Sequence, residues 1–284
     1  YCQRSTPFTN DRRQKLWRNN IACLYIPRDQ LSDYQQYLTE HLSDILADKA
    51  ITVRDKSEIL YASALNVVER VLDNPRDPDA LRHGKDIVRV TVDFMGRDDF
   101  QLEHLLRAIS DNYYLYTHSV NVVAYAIALA MRAGMHDPAT LREMANGALL
   151  HDVGMAHAAP NVRDIKGVLN THEWEQVQKH PREAFDMLRQ TNALGEIALD
   201  IVLHHHERLD GTGYPDQLKG AAISQPVRVV MIADIFDALT TDRPHQKAMS
   251  TYQALTLMQR EMKHQVDTDL LRILIEMMGL RGVR

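Results

Sequence analysis

The chain has only two cysteines among its 284 residues, Cys2 and Cys23. That is too few for a disulfide framework, so the fold must rest on its core, and a reducing compartment, the cytoplasm, is expected. It also lacks any apolar run near the roughly 18 residues that a membrane helix needs, because the stretch from Val120 to Met131 is closed by Arg132. No membrane span is expected. Nor is there a surplus of positive charge: 33 Lys plus Arg face 38 Asp plus Glu, for a formal charge of -5. This argues against a protein that neutralises many phosphates of a nucleic acid polymer. The one local basic cluster, Arg4, Arg12, Arg13, Lys15 and Arg18 against Asp11, reads as a solvated face or a linker. Small anionic ligands stay open. Internal repeats, low-complexity tracts and pairs of alternating strand patterns are absent too, which excludes solenoids and sheet folds.

What is present is the composition of an ordinary globular protein, 45% hydrophobic and 25% charged, long enough for one large domain or two moderate ones. The chain begins at Tyr1 and not at Met, as a processed form or a piece of a longer protein does. Residues 1 to 28 read as an irregular polar start followed by a strand-like run, Ile21 to Ile26, closed by Pro27, as the tail of a truncated sensory domain would. From Asp29 onward the apolar spacing becomes three and four: Leu31, Tyr34, Leu38 and Ile45, then Ile59, Leu60, Ala64, Val67 and Val71. The breaker Asn74-Pro75-Arg76-Asp77-Pro78 marks the expected boundary between a small N-terminal helical region, residues 1–78, and a main domain, residues 79–284. Helices are expected near 79–95, 101–133, 138–152, 172–189, 195–206, 226–239, 250–262 and 267–278. The fold class is therefore all-α. The segment from Tyr113 to Met131 is apolar on nearly every face and should be the central helix.

Its chemistry is carried by histidines, of which there are 14. His118 lies on an inward stripe of the central helix with Leu115, Val122 and Leu129, and alone it would be read as a hydrogen-bonded core residue. His151-Asp152 follows the apolar run Ala148-Leu149-Leu150, where an unpartnered carboxylate would cost several kcal/mol. His180 precedes Pro181, His204-His205-His206-Glu207 form a run, and Asp234 is embedded in Val229 to Ile235. A cluster of divalent cations is the cheapest common explanation. Ligands on separate helices cannot form a local finger, but they can line the cavity of a bundle. With no thiolate near these motifs, iron or manganese suits the set better than structural zinc. Two cations sharing a carboxylate activate water and clamp the oxygens of a phosphodiester, so phosphate-ester hydrolysis is the expected chemistry.

These residues resemble the HD-GYP branch of the HD-domain phosphohydrolases. The blocks are His151-Asp152-Val153-Gly154, His180-Pro181, His205-His206-Glu207-Arg208, Asp210-Gly211-Thr212-Gly213-Tyr214-Pro215, Ala233-Asp234 with Asp237-Ala238-Leu239, and Asp242-Arg243-Pro244, in order across roughly residues 100 to 280. The resemblance implies an HD-type helical bundle with a dinuclear metal centre, opening cyclic di-GMP to the linear dinucleotide pGpG or to GMP, with cyclic GMP-AMP as a related substrate. It implies one metal held by His118, His151, Asp152 and Asp234, and a second held by Asp152 as bridge with His180, His205 and His206. Arg243 is implied as a phosphate contact and Lys247 as a second one. Tyr214 either orients the ligand or packs. Glu207 looks like support for the ligands, and His204 has no place in the pattern. The protein partners compatible with the resemblance are a second copy of the chain and diguanylate cyclases.

The chain departs from the family at three places. Met155 stands where a lysine is common after HD-x-G; Arg243-Pro244-His245-Gln246 replaces Arg-Pro-Tyr with Lys or Arg, a lysine coming one place later at Lys247; and Tyr114 stands where three-metal members carry a glutamate. Two metals are therefore expected. Each missing cation removes stabilisation of the transferring phosphoryl group. Those losses keep alive a second hypothesis, a catalytically weak sensor or scaffold that binds the nucleotide or partner proteins. A third, a general HD nucleotidase, uses only His118, His151-Asp152 and Asp234 and leaves the remaining blocks unexplained.

Overall fold

The computed structural model describes residues 9–21, 24–109, 115–155, 169–243 and 247–279. Among these, every regular element is helical. Two compact units divide the chain, Tyr1–His41 and Leu42–Arg284. The first carries α1 (Asn10–Arg18) and α2 (Leu31–Glu40). The strand-like reading of residues 21–26 falls partly on 22 and 23, which lie outside the described residues, and Leu24 to Pro27 have no regular structure.

The second unit opens with α3 (Leu42–Ala47), α4 (Val53–Asp73) and α5 (Pro78–Met95). Here the division differs from the expected boundary at 78. Leu60, Val67 and Val71 of α4 share one core with Leu81, Ile87 and Val88 of α5. Asn74 to Asp77 is a tight turn closed by the Asp77 amide on the Asn74 carbonyl. Asp77 caps α5 with Pro78 in its first turn. A Pro-rich breaker ends a helix whether or not a domain ends with it.

Further on come α6 (Leu102–Ala108), α7 (Leu115–Arg132), α8 (Pro138–Leu150), α9 (Thr171–Val177), α10 (His180–Gln190), α11 (Glu196–His204), α12 (Gln225–Thr240), α13 (Thr251–Glu261) and α14 (Thr268–Met277). The central helix is α7, packed mainly on α8 and α12, with Val122, Ala126, Ile127 and Leu129 fully buried. Starts follow the expected chemistry: Asp137 caps α8 ahead of Pro138, while Asn170 and Ser250 close capping boxes with Glu173 and Gln253.

Two expected helices are broken. The segment 101–133 ends a first helix at Ala108 because Ile109 turns extended, at φ -62° and ψ 132°. The segment 172–189 divides into α9 and α10 because Pro181 has no N–H to continue the ladder. That second break puts His180 at a helix start.

Candidate metal centre

Three histidines are set by one device used three times. A helix leaves its last four carbonyls without intrahelical partners. His151, just past α8, donates Nδ1–H to the Ala148 carbonyl at 2.7 Å. His180, past the end of α9, does the same to Val177 at 2.7 Å, and His205, past α11, to Val202 at 3.0 Å. Each bond holds the proton on Nδ1 and leaves the Nε2 lone pair free to bind. His118, inside α7, is oriented by another route, with Nδ1 donating to the buried Asp237 carboxylate at 2.7 Å. Asp237 also accepts from Asn121 at 2.8 Å and from Thr241 at 3.2 Å.

All four Nε2 atoms then meet in pairs. His118 and His151 bring theirs to 3.3 Å, and His180 and His205 to 3.1 Å. Asp152 stands between the pairs. Its Oδ2 lies 3.6 Å from His118 Nε2 and 3.5 Å from His151 Nε2, while its Oδ1 lies 3.2 Å from His180 and 3.8 Å from His205. Asp234 closes the first group, with Oδ1 3.2 Å from His118 Nε2. His206 joins the second and leaves its Nδ1 3.9 Å from Asp234 Oδ2. The two sets, His118, His151 and Asp234 on one side and Asp152, His180, His205 and His206 on the other, each converge closely enough to hold one ion. The expected ligands are thus all brought together, and the donor chemistry fits divalent metals. Paired imidazole lone pairs at about 3 Å, with carboxylates beside them, repel or compete unless a cation or a proton lies between them.

Charge is arranged accordingly. Burial opposes ionisation of Asp152, but His151, His180 and His205 outweigh it and hold the carboxyl well below its usual range. Asp234 is likewise held low, against burial, by His118. Burial also opposes a charge on His118, yet hydrogen bonds to Asp234 and Asp237 bring its pKa up to about 10. For His151 burial wins and takes it down to about 4.

Glycine makes the assembly possible at Gly154. A Cβ there would collide with the backbone carbonyl of His180, so only glycine lets the Asp152 turn lie against the start of α10. The loop after His206 is tied back similarly. Fully buried Glu207 accepts from the amides of Asp216 at 2.7 Å and Leu218 at 3.0 Å, and Gly213 sits where a Cβ would strike the Arg208 amide. Tyr214, before a cis Pro215, stacks on His206 at 4.8 Å between ring centres.

The HD domain family model matches residues 103–270 of this chain. The chain belongs to the HD domain family. Its HD-x-G, His-Pro and Gly-Tyr-Pro blocks put it in the HD-GYP branch. It is 33% identical over 201 residues to the cyclic di-GMP phosphodiesterase PA4108 of Pseudomonas aeruginosa, covering 71% of this chain and 48% of that one. It is 30% identical over 243 residues to the 3'3'-cGAMP-specific phosphodiesterase 3 of Vibrio cholerae, covering 82% and 51%. The chain spans about half the length of these curated relatives. Among solved structures, Bd1817, an HDG"Y"P protein from Bdellovibrio bacteriovorus, shares the fold at a TM-score of 0.73 and 22% identity, covering 98% of this chain and 90% of that one.

In this HD domain the expected ligands other than His151 line a cavity of about 470 Å³. Arg243, Tyr214 and Met155 line it. Lys247 is not brought there: its ammonium pairs with Asp242 at 2.9 Å on the surface. Tyr114 and Gln246 lie outside the described residues. Sequence reasoning missed Arg208 and Trp174, which also line the cavity. Arg208 stood inside a quoted motif, and Trp174, half-exposed with its ring 6.0 Å from Tyr214, carried no signal beyond helical spacing. It also missed Asp237 as the partner of His118 and Asn121 as the partner of Asp237, although their i, i+3 spacing from Asp234 and His118 was legible.

Proposed function

We propose that this chain is a two-metal phosphodiesterase that opens a cyclic dinucleotide, cyclic di-GMP before cyclic GMP-AMP, to the linear product pGpG and onward to GMP. The observation that carries the reading is the convergence of four Nε2 atoms on either side of the two oxygens of Asp152. Bound divalent iron or manganese supplies a water of lowered pKa and a double positive clamp for phosphodiester oxygens. The chain's residues do the rest. His118, His151, Asp152 and Asp234 hold one ion; Asp152, His180, His205 and His206 hold the other. Arg243 and Arg208, both on the cavity wall, meet the phosphates. Tyr214 and Trp174 offer ring faces to a base. In this reading the unit Leu42–Arg284 is the catalytic one, residues 1–41 are a connector, and the cytoplasm is the site of action. No described helix is long and apolar enough to cross a membrane.

Relatives named as cyclic di-GMP and 3'3'-cGAMP phosphodiesterases support the substrate class. One observation favours a second reading, a nucleotide sensor with little turnover: Met155 lines the cavity where the family commonly has a lysine, and Lys247 is turned to Asp242. The test is metal analysis of anaerobically purified protein with a timed assay on both nucleotides, using Asp152→Ala as control. Two metals per chain, and linear dinucleotide only with Asp152 intact, are expected. Tight nucleotide binding without turnover, under iron and manganese alike, favours the sensor; no metal at all sinks the ligand assignment.

A further inference from the structure

Helix α4 precedes the segment matched by the family model, which begins at residue 103. Yet it sends one polar group into the core behind the metal centre. The Tyr61 hydroxyl lies 2.8 Å from Asn121 Oδ1, and both side chains are buried. Asn121 Nδ2 lies 2.8 Å from Asp237 Oδ1, and Asp237 Oδ2 lies 2.7 Å from His118 Nδ1. The polarity of this chain of bonds has one consistent direction. Asn121 turns its NH2 toward Asp237, to which Nδ2 donates. The amide oxygen then faces Tyr61, whose hydroxyl must donate. With Asp237 held by Asn121 and Thr241, its other oxygen accepts from His118 Nδ1, and Nε2 is aimed at Asp234 and Asp152.

We infer that Tyr61 is a positioning residue for the metal centre: by donating to Asn121 it fixes the amide that orients Asp237 and, through it, the His118 ligand. The inference rests on the metal reading above. It gives α4 a role beyond packing. Without the hydroxyl the Asn121 amide oxygen loses its Tyr61 donor, so the amide holds Asp237 less firmly, which loosens His118 alone. His180 and His205 take their orientation from backbone carbonyls and are untouched.

The test is Tyr61→Phe, which keeps the ring, beside Val68→Ala, a fully buried α4 change remote from these bonds that serves as a control for simple destabilisation. Metal-free protein is titrated with Mn(II), and the two dissociation constants are resolved calorimetrically. Tyr61→Phe is expected to weaken one site about tenfold, the scale of outer-shell effects, and to leave the other within about twofold, whereas Val68→Ala moves neither. A second arm follows the His118 Nδ1 proton by NMR in the metal-free protein, where Tyr61→Phe is expected to shift it and speed its exchange. Equal weakening of both sites, or unchanged affinities, overturns the inference. If the wild-type chain takes up no Mn(II), it is the metal reading that fails, and the NMR arm decides the inference by itself: an unmoved His118 proton overturns it.

Discussion

His118 differs from the other converging histidines in that its Nδ1 bonds a carboxylate, Asp237, and not a backbone carbonyl, and this sets how the centre answers to pH. With a pKa up to about 10 it is an imidazolium in the metal-free protein near neutrality, so an ion entering there must displace a proton. His151, at about 4, is already neutral and has none to give. The sign follows. Below pH 10 each unit of rising pH removes competition from one proton, so affinity at the His118 site should rise about tenfold per unit from this group. Mn(II) titrations at pH 6.5, 7.5 and 8.5 check it; a flat affinity across that range sinks the assignment. Gly154 offers a second prediction at the same scale. A Cβ there meets backbone, not a yielding side chain, so Gly154→Ala should cost about 1–3 kcal/mol, as overpacking does, and should separate Asp152 from His180. Chemical unfolding in chelator, together with metal content, measures both. Stability and metal content equal to wild type would mean that the turn has room to shift.

At the scale of elements, the loop from Asp210 to Leu218 is held against the helix end by one buried carboxylate. Glu207 has two oxygens and each takes one amide proton, from Asp216 and Leu218. Glu207→Gln replaces one acceptor by a donor and leaves a buried N–H facing it, which costs about 1–3 kcal/mol locally. Amide exchange at Asp216 or Leu218 should accelerate while the metal content stays at the wild-type level. Unchanged exchange would mean that Pro215 and the packing of Tyr214 hold the loop without the carboxylate. This loop also marks where the sequence was legible and where it was not. Gly211 to Pro215 could be read as a turn because glycine and proline act locally, and the helices 79–95, 138–152 and 226–239 because their caps and periodicity do. The clustering of the His and Asp residues was legible because such groups buried in apolar runs are costly without partners. Breaks at Ile109 and Lys179 were not, because apolar spacing runs through both and only the absent N–H of Pro181 hinted at one. The reach of Tyr61 to Asn121 was invisible for another reason. It joins residues 60 apart on helices whose pairing no local pattern records.

For the molecule as a whole, the proposed metal centre would act as a cross-link between helices. Its ligands come from α7, the turn after α8, the start of α10, the end of α11 and α12, so ions bound there tie together the middle of the second unit. In their absence the same region gathers the carboxylates of Asp152, Asp234 and Asp237 in the core, countered chiefly by the charge on His118. Metal should therefore raise stability by mass action. At a hundredfold excess over the dissociation constant, one ion adds about 2.7 kcal/mol. For a domain of this size that is about 5 to 10 °C in Tm, and a second ion adds to it. Thermal unfolding of metal-loaded protein against protein treated with chelator should show that gap. His180→Ala should remove the share of one ion and leave that of the other, because the His118, His151 and Asp234 set does not include it. Equal melting temperatures, with metal content verified by analysis, would mean that the helices are already locked in place by their apolar core, and that the ions bind without bracing the fold.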